Sequence, residues 1–243
     1  MKTVALGLVS LVLAASSAQA TTFSFASDSD NSAFTWAGLR NTITNGSSPL
    51  SNSITLVIDD ENGPAPSLTY SVAFNANFQI SFANSTAVGG GRFLHAYDVN
   101  ASVPEGAAQF SFVNPDGSTL LTATFTGGSL SALGTQNAWG TTGGVDATDI
   151  TGQVTYTWFG PDLAAYGLFS GQSSVGTDDA TFTLTNLQTV GGGAGVTLGS
   201  GGLPGANWVS EGSFSGTARF VPAPGAMVLM GLGGLVMARR RRD

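Results

Sequence analysis

Tyr70-Ser71-Val72-Ala73-Phe74-Asn75-Ala76-Asn77-Phe78-Gln79-Ile80-Ser81-Phe82 is the stretch that decides the fold class. Tyr70, Val72, Phe74, Ala76, Phe78, Ile80 and Phe82 fall on one side of an extended chain, and Ser71, Asn75, Asn77, Gln79 and Ser81 on the other. Side chains alternate across a strand with a period of two, so this segment predicts a strand with one dry face and one wet face. The same period recurs in Ile54-Leu56-Ile58, Phe110-Phe112, Leu121-Ala123-Phe125, Val154-Tyr156-Trp158, Ala180-Phe182-Leu184 and Phe214-Gly216-Ala218-Phe220. Half-dry strands pair antiparallel and stack their apolar faces, whereas parallel sheets are buried on both sides and read as unbroken apolar runs. The expected fold is therefore all-β: an antiparallel β-sandwich or jelly-roll-like ectodomain, with Phe74, Phe78, Ile80, Phe82, Phe182 and Phe214 in one core.

Turn chemistry punctuates these strands. Asn45-Gly46, Asn62-Gly63-Pro64, Asn114-Pro115-Asp116-Gly117, Gly127-Gly128, Gly143-Gly144 and Gly160-Pro161-Asp162 read as turns. Residues 161–166 form the one helical candidate, with Pro161 at its first position and Gly167 at its stop. The glycine runs at 191–195 and 199–202 precede no helix and no Lys-Ser/Thr pair, so they are read as loops or tight corners rather than phosphate cradles.

The two ends carry an address. Residues 1–20 read as a secretory signal: Lys2 supplies the positive start, Val4 begins an apolar stretch, and Ala18-Gln19-Ala20 offers the small residues that signal peptidase accepts. Cleavage after Ala20 leaves Thr21 first. At the other end, Pro222-Ala223-Pro224 is followed by the apolar segment 226–238 and then by Arg239, Arg240, Arg241 and Arg242. Thirteen residues make a helix of about 20 Å, short for a hydrocarbon core of about 30 Å. The two prolines stop the preceding strand and extend the backbone, and the arginines hold the end of the tail in the cytoplasm. A short transmembrane helix of this kind serves either as a transient sorting device or as an ordinary anchor.

The order of proline motif, glycine-containing apolar segment and terminal arginine cluster resembles the C-terminal signal of PEP-CTERM proteins, the substrates of exosortase. The likeness covers residues 222–243, and Ala223 stands where the namesake motif carries glutamate. It implies brief anchoring in the inner membrane of a Gram-negative-type bacterium and processing near Pro222, Ala223 and Pro224. Delivery to the outer cell surface or the extracellular polysaccharide matrix follows. It implies nothing about residues 21–221, the ectodomain, which is expected to be one domain.

Composition narrows what that domain does. Between residues 21 and 221 the only basic side chains are Arg40, Arg92 and Arg219, against fourteen carboxylates. Nucleic-acid binding needs clustered cations to replace phosphate counterions, so it is excluded as a role. Cysteine is absent, which removes disulfides, thiolate metal sites and thiol nucleophiles. His95 is the only histidine, and no flanking motif marks it as a catalytic base.

Candidate sites are sparse. Asp28, Asp30, Asp59 and Asp60 concentrate oxygen ligands on expected loops, and suit either a structural Ca²⁺ or plain solvation; Asp146, Asp149, Asp178 and Asp179 are equally ambiguous. No other cofactor is expected. Glu105 and Glu211 are the pair that a glycan hydrolase would use, but Gly106 and Gly212 beside them suggest separate exposed loops. Threonine rows at Thr151, Thr155, Thr157 and Thr181, Thr183, Thr185, with Gln153, form neutral hydrogen-bonding strips suited to solvent or to a polysaccharide. Trp158 continues a core-facing row, whereas Trp139 and Trp208 fall in expected loops where sugar stacking competes with rim packing. The expected role is non-catalytic, structural, adhesive or carbohydrate-contacting; the alternative is a secreted glycan-active hydrolase. Expected partners are signal peptidase, exosortase and an exopolysaccharide.

Overall fold

The structure, a computed structural model, describes residues 19–26, 34–39, 42–45, 54–61, 63–100, 110–147, 154–175 and 178–221. It is all-β. The strands are β1 (Gln19–Ala26), β2 (Phe34–Leu39), β3 (Thr42–Asn45), β4 (Ile54–Asp60), β5 (Leu68–Gly89), β6 (Arg92–Asn100), β7 (Phe110–Val113), β8 (Thr119–Phe125), β9 (Gly127–Thr135), β10 (Ala138–Ala147), β11 (Val154–Trp158), β12 (Gln172–Ser173), β13 (Asp179–Thr189), β14 (Val196–Thr197) and β15 (Trp208–Phe220). All join one antiparallel sheet, in the order β12-β11-β8-β7-β5-β3-β2-β15-β13-β10-β9-β6 with β1, β4 and β14 off that path.

The 22-residue β5 organises this sheet. It pairs in turn with β4 at Leu68 to Val72, β7 at Ala73 to Ala76, β3 at Asn77 to Gln79 and β6 from Gln79 onward. Because β6 continues through β9, β10, β13, β15, β1 and β4 back to β5, the pairing closes a circuit and leaves those strands no free edge.

The wing β7-β8-β11 folds over this circuit. Phe110 on β7 meets Phe182 on β13 at 5.1 Å and Phe214 on β15 at 5.3 Å, although neither strand pairs with β7. Phe23 on β1 meets Tyr156 on β11 at 5.5 Å. The rings sit tilted or edge-on at 5–6 Å, the arrangement their quadrupoles favour. One continuous core results, and it includes Phe74, Ile80, Phe182 and Phe214 as the alternation predicts. Phe78 lies on β5, and its side chain is outside what is described.

Phe82 departs from the expectation. Alternation places it inward, yet it is 40% exposed. The lateral partner β3 pairs with β5 only as far as Gln79, β5 is exposed from Ser81 onward, and the β5–β6 register shifts between Phe82 and Asn84. Gly127-Gly128 and Gly143-Gly144 also depart: they lie inside β9 and β10 rather than in turns. Their use is close backbone approach, since a Cβ on Gly128 would stand 2.8 Å from the Asp146 carbonyl. The helical candidate shortens to a 3-10 helix, Ala164–Tyr166, ended by Gly167 in the left-handed region at φ 68°.

Candidate functional site

A cleft of about 480 Å³ opens at the end of the sheet where β5 outruns the core. The β5–β6 hairpin contributes Phe82, Ser85, Phe93 and His95; the β9–β10 turn contributes Gln136 and Asn137. The opposite wall is Leu198, Gly199, Gly201 and Gly202. No carboxylate, lysine or arginine is among these residues, and His95 is their one titratable side chain.

The hairpin aligns its members in register. Ser85 stands opposite His95, and Phe93 two residues earlier stacks against the imidazole at 6.5 Å and 27°. His95 is 1% exposed. Its Nε2 lies 2.7 Å from the Thr135 carbonyl, which can only accept, so Nε2 carries a proton, and in the neutral ring Nδ1 is an acceptor. Nδ1 has no partner in the protein. A buried polar atom without a partner is unusual and calls for an explanation.

Two bonds from the interior set the glycine wall. Tyr97 donates its hydroxyl to the Gly202 carbonyl at 2.6 Å and accepts from Trp139 Nε1 at 2.8 Å. Burial pushes the Tyr97 phenol up to about 12, so it stays a neutral donor through the ordinary pH range. Gly202 has φ 77°, and a Cβ there would come within 2.8 Å of the Phe82 ring; only glycine lets the wall close on that ring. Leu198 N donates to the Asn137 carbonyl at 2.9 Å, tying the wall to the β9–β10 turn. Phe82 itself packs edge-on against Tyr97 at 5.6 Å.

The residues singled out in the sequence mostly lie elsewhere. Trp139 and Trp208 are not in loops: they lie on β10 and β15, fully buried, with Trp208 stacked on Trp36 at 5.1 Å and 15°. Their rings are core packing and present no sugar platform. Glu211 is on β15 rather than on an exposed loop and accepts from Asn186 Nδ2 at 3.2 Å. Glu105 lies outside the described residues, as do Asp28, Asp30, Asp149, Thr151, Gln153, Pro222, Ala223, Pro224, Arg239, Arg240, Arg241, Arg242 and Ala18. Asp59 and Asp60 are consecutive on β4, so their side chains take opposite faces; Asp59 accepts from Ser67 Oγ at 3.0 Å and Asp60 is buried. Among the described residues no group of three or more His, Asp or Glu side chains could hold a metal ion. Asp146 accepts from Thr181 Oγ1 at 3.1 Å, and Asp179 from the Thr217 amide at 2.7 Å.

The cleft escaped sequence reading because it draws on three segments, 82–95, 136–137 and 198–202, far apart in the chain. The one signal present was Phe82 followed by Gly89-Gly90-Gly91, three positive-φ glycines that make the hairpin turn and carry β5 beyond the core. Among the described residues no helix is long and apolar enough to cross a membrane, and the segment 226–238 falls outside them. Compared with family models, with curated proteins and with solved structures, the chain matches none.

Proposed function

We propose that this chain is an exported protein of the cell surface or extracellular matrix, folded as a β-sandwich ectodomain, whose role is non-catalytic contact with polysaccharide. The observation that carries the reading is the cleft itself, which joins aromatic rings, side-chain amides and a hydroxyl around a single histidine, with no carboxylate beside it to form an acid–base pair. Neutral polar strips support it: Thr181 and Thr183 on β13 are exposed, and Thr155 and Thr157 on β11 are half-buried. Weak contacts repeated along a chain of sugars add through multivalency.

Export and sorting rest on the ends of the sequence. The signal ending at Ala20 directs secretion, and the tail resembling an exosortase signal directs surface delivery. Cleavage after Ala20 would remove the first two residues of β1, with their pairing to Phe220 and Arg219 and the Glu61 amide bond to the Ala20 carbonyl, and would leave Thr21 its bond to the Tyr166 carbonyl at 2.8 Å and its pairing with Ala218. Fractionation of the producing cell tests the reading. Replacing Arg239, Arg240, Arg241 and Arg242 with glutamine should shift the protein from the surface or matrix fraction to misoriented or intracellular material; an unchanged distribution would contradict sorting by the tail.

A further inference from the structure

We propose that the α-ammonium group created at Thr21 by removal of the signal is bound by the buried carboxylate of Asp60, so that cleavage completes an ion pair inside the fold. The pair rests on the export reading above, with cleavage after Ala20, and gives the new chain end a structural role.

Asp60 ends β4 and is 6% exposed, with its Oδ2 enclosed and without a partner in the protein. A carboxylate in the interior is costly unless it is paired. Among the described residues no basic side chain is placed to pair with it. Arg92 stands opposite Gly89 at the far end of β5, whereas β4 pairs with the near end at Leu68. Arg219 lies between the inward-facing Ala218 and Phe220 on β15, so its exposed side chain takes the outer face.

Register brings Thr21 to this carboxylate. Thr21 stands opposite Asp60 in the β1–β4 pair, and both side chains are buried on the same face. The Glu61 amide donates to the Ala20 carbonyl at 3.3 Å, so the ladder bond lies beside the Thr21–Asp60 pair and not within it. Such a pair is the closer kind, with Cα atoms about 4.5 Å apart. The Asp60 carboxylate turns toward Gly63, where an added Cβ would overlap Oδ2. Because Glu61 lies across from Ala20, that direction leads to the amino side of Thr21.

In the uncleaved chain the Thr21 nitrogen is a peptide N–H that faces β15, since the Ala20 carbonyl on the same peptide plane faces β4. Hydrolysis of the Ala20–Thr21 bond consumes one water: the signal leaves as a carboxylate, and the nitrogen becomes an ammonium with three donors. One donor keeps the direction of β15, and the others are free to turn to Asp60. Thr21 stays in place through its bond to the Tyr166 carbonyl at 2.8 Å and its pairing with Ala218. The remaining charged groups nearby face elsewhere: Glu61 is exposed, and Asp59 takes the outer face with Ser67. The Tyr166 hydroxyl is bound to the Pro66 carbonyl. Asp178 lies beyond β15, where it accepts from the Arg219 amide.

The sequence makes the test direct. Lysine occurs only at Lys2, inside the signal, so the mature chain holds a single amine, at Thr21. The protein recovered after export, its first residue established by intact mass, is acylated with a trace of acetic anhydride over a pH series, and the rates give the pKa of that amine. The expected value lies at least about one pH unit above the ordinary α-amino range of about 7.7–8.0, because a neighbouring carboxylate favours the charged form. Asp60→Asn should return it to that range or below, and Asp178→Asn should move it less. An amine of ordinary or lowered pKa in the parent protein overturns the proposal, with no variant needed. So does a raised value that Asp60→Asn leaves in place or that Asp178→Asn lowers equally. A recovered chain that starts elsewhere than Thr21 defeats the cleavage reading and the pair with it; a chain that starts at Thr21 with an ordinary amine defeats the pair alone.

Discussion

The Tyr97 hydroxyl donates to the Gly202 carbonyl at 2.6 Å, binding the middle of β6 to a glycine wall 105 residues further along the chain. Trp139 Nε1 donates to the same hydroxyl at 2.8 Å, so one phenol oxygen joins core to cleft. Replacing Tyr97 with Phe keeps the ring but strands the indole N–H of Trp139, which is 2% exposed. The expected loss is about 1–3 kcal/mol, the penalty for an unsatisfied buried donor. Denaturant unfolding measures it, and hydrogen exchange at Gly202 and Leu203 should accelerate beyond what the global loss explains, because the wall has lost its tether.

Gly216 is fixed by a different contact. Tyr156 donates to the Asp179 carbonyl at 2.5 Å, and its oxygen lies over Gly216 so closely that an added Cβ would be 2.1 Å away. Gly216→Ala should therefore destabilise by about 1–3 kcal/mol through overpacking. Tyr156→Phe removes the clashing oxygen, so the double variant should lose less than the sum of the two single losses. Strict additivity in that cycle would show that the two residues do not collide.

Asp178 gives the fold a pH dependence of known sign. It is 2% exposed; its Oδ1 accepts from the Arg219 amide at 3.2 Å, and its Oδ2 has no partner. Burial raises its pKa above 3.8, with the Asp179 carboxylate adding to the rise and Ser174, the Arg219 amide and the Arg219 charge opposing it. A carboxyl whose folded pKa is raised contributes stability below its unfolded pKa and loses it as pH rises through the folded value. Asp178→Asn removes that titration. The stability of the variant relative to the parent should climb as pH is raised from about 4 to about 7, measured by denaturant midpoint at each pH. A difference that stays flat or falls across the window would contradict the assignment.

How much was legible follows from where the period of two is enforced. Val72, Phe74, Ala76 and Ile80 alternate inward because β5 is covered on that face, and the sequence shows it directly. Phe82 carries the same pattern and is 40% exposed, since what packs over a strand's face is a tertiary fact that no local pattern contains. Paired glycines at 127–128 and 143–144 carry the signal of turns, but inside β9 and β10 they serve neighbouring backbones that only the folded sheet brings near. Trp139 and Trp208 sit among Gly and Asn residues that mimic loops, yet ladder pairing with Val196 and Trp36 holds both in strands. His95 shows the same limit for function: its sequence neighbours say nothing, and its chemistry comes from Thr135 on another strand.

The central claim is that the mature protein is an exported domain trimmed at both ends, and intact-mass spectrometry of protein recovered from the cell surface and matrix tests it most directly. The account predicts a chain that begins at Thr21 and ends near Pro222, Ala223 or Pro224, without Arg239, Arg240, Arg241 and Arg242. A surface protein whose mass still includes the C-terminal Asp243 would contradict sorting by cleavage and leave residues 222–243 as a plain anchor.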